Sequence, residues 1–138
     1  MQLYINIDVD DLDKAIAFYT GALGLKLSRM LFGGAVAELS GAAAPIHLLR
    51  KPAGSAPSAG AATGRDYARH WTPVHLDICV DRLEPAVARA ADAGAVQEGP
   101  LREYGWGRIA TFGDPFGHGF CLMQLAPDGY DSVAVTSA

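Results

Sequence analysis

Apolar and polar residues alternate at the start of this chain. Leu3, Ile5, Ile7 and Val9 fall on one side and Tyr4, Asn6 and Asp8 on the other, the period of a strand with one oily face. The period then lengthens. Leu12, Ala15, Ile16, Tyr19 and Leu23 recur at spacings of three and four, which predicts an amphipathic helix capped by Asp10 or Asp11 and ended between Gly21 and Gly24. Three more strands are expected, over 25–31, over 35–39 after the Gly33-Gly34 turn, and over 45–49. The unit reads βαβββ.

The same plan then recurs. Val9 to Ala17 is answered 71 residues later by Val80 to Ala88, and the apolar strand around His47 is answered 74 residues later by the strand around Cys121. His75 to Val80 alternates as the first strand does. Asp81 and Glu84 stand at capping-box spacing before Leu83, Val87 and Ala90, and Pro85 is tolerable in a first helical turn. Weaker strands follow Gly94, one containing Val96, one over 108–111 and one over 120–125. The expected fold is α+β: two pseudo-twofold-related βαβββ modules forming a curved mixed sheet around a cavity. One domain over 1–138 is expected, with module 1 at about 1–51, module 2 at about 70–126 and a C-terminal tail at 127–138. The intervening 52–69, rich in Ala, Gly, Ser and Pro, is a linker that is mobile or wraps the surface.

Composition narrows the functional classes. A chain of 138 residues that is 50% hydrophobic buries one substantial core. Eleven scattered Lys and Arg in a net charge of −4 give no footprint for nucleic acid. No basic-then-apolar leader and no membrane-length apolar run is present, so no membrane partner is expected. Cys79 and Cys121 fit no framework of bridges, so a reduced, cytoplasmic protein is expected.

Two segments carry a resemblance that covers nearly the whole chain. Ile7 to Leu25 and the closing Asp114-Pro115-Phe116-Gly117-His118-Gly119-Phe120 resemble the vicinal oxygen chelate superfamily, which includes glyoxalase I, fosfomycin-resistance enzymes, extradiol dioxygenases and bleomycin-resistance proteins. In such proteins the first and last strands of each module commonly supply one metal ligand apiece. The resemblance places those positions at Tyr4, His47, His75 and Cys121, and the internal repeat relates the same four to one another. It implies that all four point into one cavity, with His47 and His75 as metal ligands and Cys121 as a third. Zinc is the most compatible ion, because none of the four is a carboxylate. Tyr4 and Cys121 are the catalytic candidates, Tyr4 as hydrogen-bond donor or proton carrier. The same residues also fit a polar pocket with no metal.

Asn6, Asp8, Asp77, Trp71, Trp106 and Arg108 are expected to line the cavity. Asp77 lies two residues beyond His75, about 6.6 Å along the strand, which makes it a shaper of charge rather than a shared ligand. His70 and His118 are expected at the surface and Cys79 in the core or wall. Two functions fit. One is a glyoxalase-like protein that binds a small organic molecule beside a divalent Lewis acid, with lyase, isomerase or dioxygenase-type chemistry. The other is a metal-free small-molecule or drug-binding protein. Either is expected as a homodimer.

Overall fold

A computed structural model describes residues 1–135; the last three residues of the expected tail lie outside them. Module 1 consists of β1 (Ile5–Val9), α1 (Leu12–Leu23), β2 (Lys26–Leu31), β3 (Val36–Ser40) and β4 (Ile46–Arg50). Its sheet runs β1-β4-β3-β2, with β1 parallel to β4 and the other pairs antiparallel. Asp11 caps α1 by accepting from the Lys14 amide at 3.0 Å, and Gly24 closes it at φ 68°. The helix buries Leu12, Ala15, Phe18, Tyr19 and Ala22, while Ile16 and Leu23 are only partly covered. The buried stripe thus includes Phe18, whose ring meets Phe120 of the other module at 6.4 Å.

Module 2 repeats the order with one break. β5 (Leu76–Cys79) and α2 (Leu83–Ala93) are followed by β6 (Val96–Gln97), β7 (Arg102–Tyr104), β8 (Gly107–Gly113) and β9 (Gly119–Leu125). The sheet runs β5-β9-β8-β6, with β5 parallel to β9 and β7 also paired to β8. The single strand of module 1's edge is therefore two short pieces here, interrupted around Gly99 and Pro100, where proline removes a ladder donor.

The capping box expected at Asp81 and Glu84 does not form. Arg82 occupies the N-cap position without a side-chain cap, and Gln124 Oε1 from β9 instead accepts from the Leu83 amide at 2.8 Å. Glu84 turns outward to Arg108.

The modules meet through their helices. Gly21 of α1 faces Ala93 of α2, where a Cβ on the glycine would stand 3.5 Å from Ala93 Cβ. Below them, Tyr19 of α1 donates its hydroxyl to the buried carboxylate of Asp114, in the turn before β9. The linker wraps the surface. It folds on itself through the Gly54 and Arg65 backbones at 2.7 Å, and Tyr67 donates to the Lys51 carbonyl at 2.7 Å.

Candidate functional site

Between β1 and β5, strands that each pair on one side only, lies a cavity of about 360 Å³. This is within the range of small-molecule sites. Its floor is apolar, built from the inward residues Ile5 and Ile7 of β1, Leu76 and Ile78 of β5, and Ile46 and Phe120. Asn6, Asp8 and Thr72 add polar atoms, and three histidines stand around it: His70, His75 and His118. Asn6 and Asp8, on the edge strand β1, border the cavity. Arg65 of the linker donates to the Asp8 carboxylate at 2.7 Å, which neutralises that wall.

His70 and His118 were expected at the surface, and the structure places both at the cavity, partly buried. The turn before β9 folds back on the linker, with the His70 amide donating to the Gly117 carbonyl at 2.9 Å. This juxtaposition spans 48 residues of chain.

Strand register sets a polar row across the other face of each sheet. In module 1, Asn6, His47, Glu38 and Arg29 are consecutive cross-strand partners. His47 Nε2 lies 2.8 Å from Glu38 Oε2, and Arg29 donates to Glu38 at 2.8 Å. The Arg29 hydrogen bond first, and His47 second, hold the Glu38 carboxyl below its ordinary range. Tyr4 packs beside His47 with ring centroids 5.3 Å apart. A carboxylate therefore does stand at this histidine, supplied by the neighbouring strand.

The matching row in module 2 is Asp77, Cys121 and Thr111, extended by Arg102, which donates to Thr111 Oγ1 at 3.2 Å. His75 reaches Asp77 with Nε2 to Oδ1 at 3.4 Å. Ligand atoms of His75, Asp77 and Cys121 all lie within 4.8 Å of one another. Asp77 is therefore close enough to share an ion with His75; backbone rise overstated the distance between side-chain tips. Burial raises the Cys121 thiol pKa. The hydrogen bond with Thr111 at 3.5 Å works against that rise, and the charge of Asp77 adds to it.

The four positions related by the repeat form two pairs, Tyr4 with His47 and Cys121 with His75, and of the four only His75 lines the cavity. Trp71 does not line the cavity either. It stands on His75 at a ring separation of 4.6 Å and fills the space over Gly119. Trp106 lies between Tyr104 and Tyr130, each at 5.3 Å, and the Tyr130 hydroxyl reaches the sulfur of Met123, which shares a strand face with Cys121. Cys79 is exposed rather than a core residue.

Arg108 points to the helix side of its sheet, where it pairs with Glu84 and Gln124 instead of the cavity. That hydrogen bond lowers the Glu84 carboxyl to about 2. Because the folded value lies below the unfolded one, near ~4.3, the pair's contribution is present above that pH and is lost as acid approaches the folded value. Unfolding midpoints of wild type and Glu84→Gln, followed from pH 5 downward, should converge as the pH nears 2.

A family model described as a glyoxalase-like domain matches residues 4–123. No curated protein matches the sequence. Among solved structures, TnmS3, an antibiotic binding protein from Streptomyces sp. CB03234, is 25% identical with a TM-score of 0.63, covering 91% of this chain and 96% of that one. FosX, a fosfomycin resistance protein from Listeria monocytogenes, is 18% identical with a TM-score of 0.70, covering 97% and 98%. A mutant of that FosX, complexed with Mn(II) and 1S,2S-dihydroxypropylphosphonic acid, is 19% identical with a TM-score of 0.67, covering 91% and 90%.

Proposed function

Because the chain belongs to the glyoxalase-like domain family, we propose that it binds a small organic molecule between its modules, beside a divalent metal held by His75, Asp77 and Cys121. The observation that carries the metal is the convergence within 4.8 Å of the His75 imidazole, just before β5, the Asp77 carboxylate on β5 and the Cys121 thiol on the adjacent β9. That donor set suits zinc better than an ion that wants only oxygen. The Mn(II) of the FosX complex belongs to that protein; a thiol ligand argues for a softer ion in this one.

A metal there supplies a Lewis acid to polarise an oxygen of the bound molecule. The chain's own residues do the rest. Of the three metal-holding residues His75 lines the cavity, so the metal stands at the cavity rim with Asp77 and Cys121 on the face behind it. The apolar floor takes the hydrocarbon part, Thr72 offers a hydrogen bond, and Trp71 packs on the His75 ring. Since the Cys121 thiol is held up by burial, metal binding must displace its proton, and affinity rises with pH.

The test is cobalt substitution. Co²⁺ added to the wild-type protein should give sulfur-to-cobalt charge-transfer absorption that strengthens with pH. Cys121→Ser should abolish the band and His75→Ala should weaken it severely. A band unchanged in Cys121→Ser would end the metal reading. Small-molecule binding that survives in wild-type protein stripped of metal by a chelator would instead favour the binding-protein function, which the mostly apolar cavity and the likeness to an antibiotic-binding protein support.

No helix in the described residues is long and apolar enough to cross a membrane. A cytoplasmic setting agrees with two free thiols, one of them exposed. A homodimer is the proposed assembly, with the singly paired strands β1 and β5 and the exposed Leu3 and Val74 beside them available to a second copy. Light scattering at micromolar concentration should give twice the chain mass; a monomer would overturn it.

A further inference from the structure

At the cavity, two imidazoles meet in an arrangement that neutral hydrogen bonding leaves unfilled. His118 Nε2 lies 2.7 Å from the Asp8 carbonyl oxygen, and His70 Nδ1 lies 2.9 Å from the Ala68 carbonyl oxygen. A carbonyl only accepts, so each of these nitrogens carries its ring's proton and donates it. The remaining nitrogens, His118 Nδ1 and His70 Nε2, then hold lone pairs, and they stand 3.3 Å apart. Two lone pairs at that distance repel unless an electrophile lies between them.

We propose that His70 and His118 form a second divalent-cation site, separate from His75, Asp77 and Cys121. Two imidazole nitrogens bound to one tetrahedral ion at the usual zinc–nitrogen length stand about 3.3 Å from each other, which is the separation found. The ring planes cross at 87° with centroids 5.1 Å apart, so the rings approach from different directions rather than stacking. The Asp8 and Ala68 carbonyls fix tautomer and orientation, the part that supporting acceptors play around metal-bound histidines.

Both ligands are anchored independently of any ion. The His118 amide donates to Asp114 Oδ1 at 2.8 Å and the His70 amide to the Gly117 carbonyl at 2.9 Å. The nearby Asp8 carboxylate is engaged by Arg65 and does not turn the site into one for a hard, oxygen-seeking ion. Imidazole donors select Zn²⁺, Ni²⁺, Co²⁺ or Cu²⁺ over Mg²⁺ and Ca²⁺. Such an ion clasps the linker to the turn before β9 and, through His118 and Asp8, to β1 of the other module. Both histidines line the cavity, so its open coordination positions are available to a chelating oxygen or nitrogen of a bound molecule.

The two metal sites are separable by spectroscopy. In the full chain carrying His75→Ala and Cys121→Ser, Co²⁺ should still bind one equivalent, with ligand-field absorption and no sulfur-to-cobalt band, and should broaden the imidazole resonances of His70 and His118. Adding His70→Gln, which leaves the bond from His118 to Asp8 in place, should lower that affinity by at least about 100-fold, the upper end of what a lost supporting residue costs. Mg²⁺ should not compete. Absence of cobalt binding in the double variant, binding unaffected by His70→Gln, or a thiolate band in the double variant would each overturn the site, whatever happens at Cys121.

Discussion

Asp114→Ala is expected to cost about 3–5 kcal/mol, the sum for three buried donors that lose their acceptor less what the turn recovers by relaxing, and to lower the melting temperature by roughly 10 °C or more. Asp114 is only 7% exposed. Its Oδ1 accepts from the Phe116 and His118 amides at 2.8 Å each, and its Oδ2 accepts from the Tyr19 hydroxyl. Alanine leaves all three donors without a partner, each costing about 1–3 kcal/mol before the turn relaxes. Asp114→Asn keeps an oxygen for the two amides and should cost clearly less. Burial first, then the Asp114 charge, raises the Tyr19 hydroxyl well above its ordinary value, so it remains a donor through the neutral range. Urea denaturation of the two variants is the measurement; a loss below about 1 kcal/mol for Asp114→Ala would mean that the turn does not depend on the carboxylate.

Local pattern was enough to locate β1 and α1, because Ile5, Ile7 and Val9 alternate and Asp11 and Gly24 punctuate the helix. The repeat then carried that reading into module 2. It reached β6 as a strand containing Val96 but stopped short at β7, whose three residues are too few to show a period. The capping box failed for a tertiary reason: Gln124 from β9 satisfies the Leu83 amide, and Glu84 is drawn away by Arg108.

The candidate site divides in the same way. That His47 and Cys121 lie on strands follows from their apolar neighbours, whereas His75 falls one residue before β5 begins. That Glu38 faces His47 depends on the register of a hairpin whose other partner strand carries a shift between Leu27 and Arg29, and nothing local fixes that register. Asp77 was misjudged because a two-residue rise measures backbone, while the His75 imidazole leans along the strand toward the carboxylate. His70 and His118 meet only once the linker has docked, so no spacing between them announces the contact.

That docking brings linker backbone against Gly117, and Gly117→Ala is expected to undo it at about 3 kcal/mol or more, left-handed strain of about 1–2 adding to overpacking of about 1–3. Gly117 sits at φ 87°, and a Cβ there would stand 2.3 Å from the Ala68 carbonyl oxygen and 2.7 Å from that of Tyr67. These are backbone atoms and cannot rotate aside as a side-chain tip would. The linker must lift, which breaks the bonds from the His70 amide and from Arg69 Nη1 to the Gly117 carbonyl. Gly94→Ala is the control: it shares the left-handed conformation, at φ 113°, but meets only a Pro115 side-chain atom at 3.8 Å, so it should cost the strain alone. Hydrogen exchange separates the two effects, since the His70 amide should lose protection in Gly117→Ala and keep it in Gly94→Ala. With the linker lifted, His70 and Thr72 leave the cavity wall, so small-molecule affinity should fall in the first variant and hold in the second. Equal costs for the two variants, with the His70 amide protected in both, would show that the linker docks without depending on that close approach.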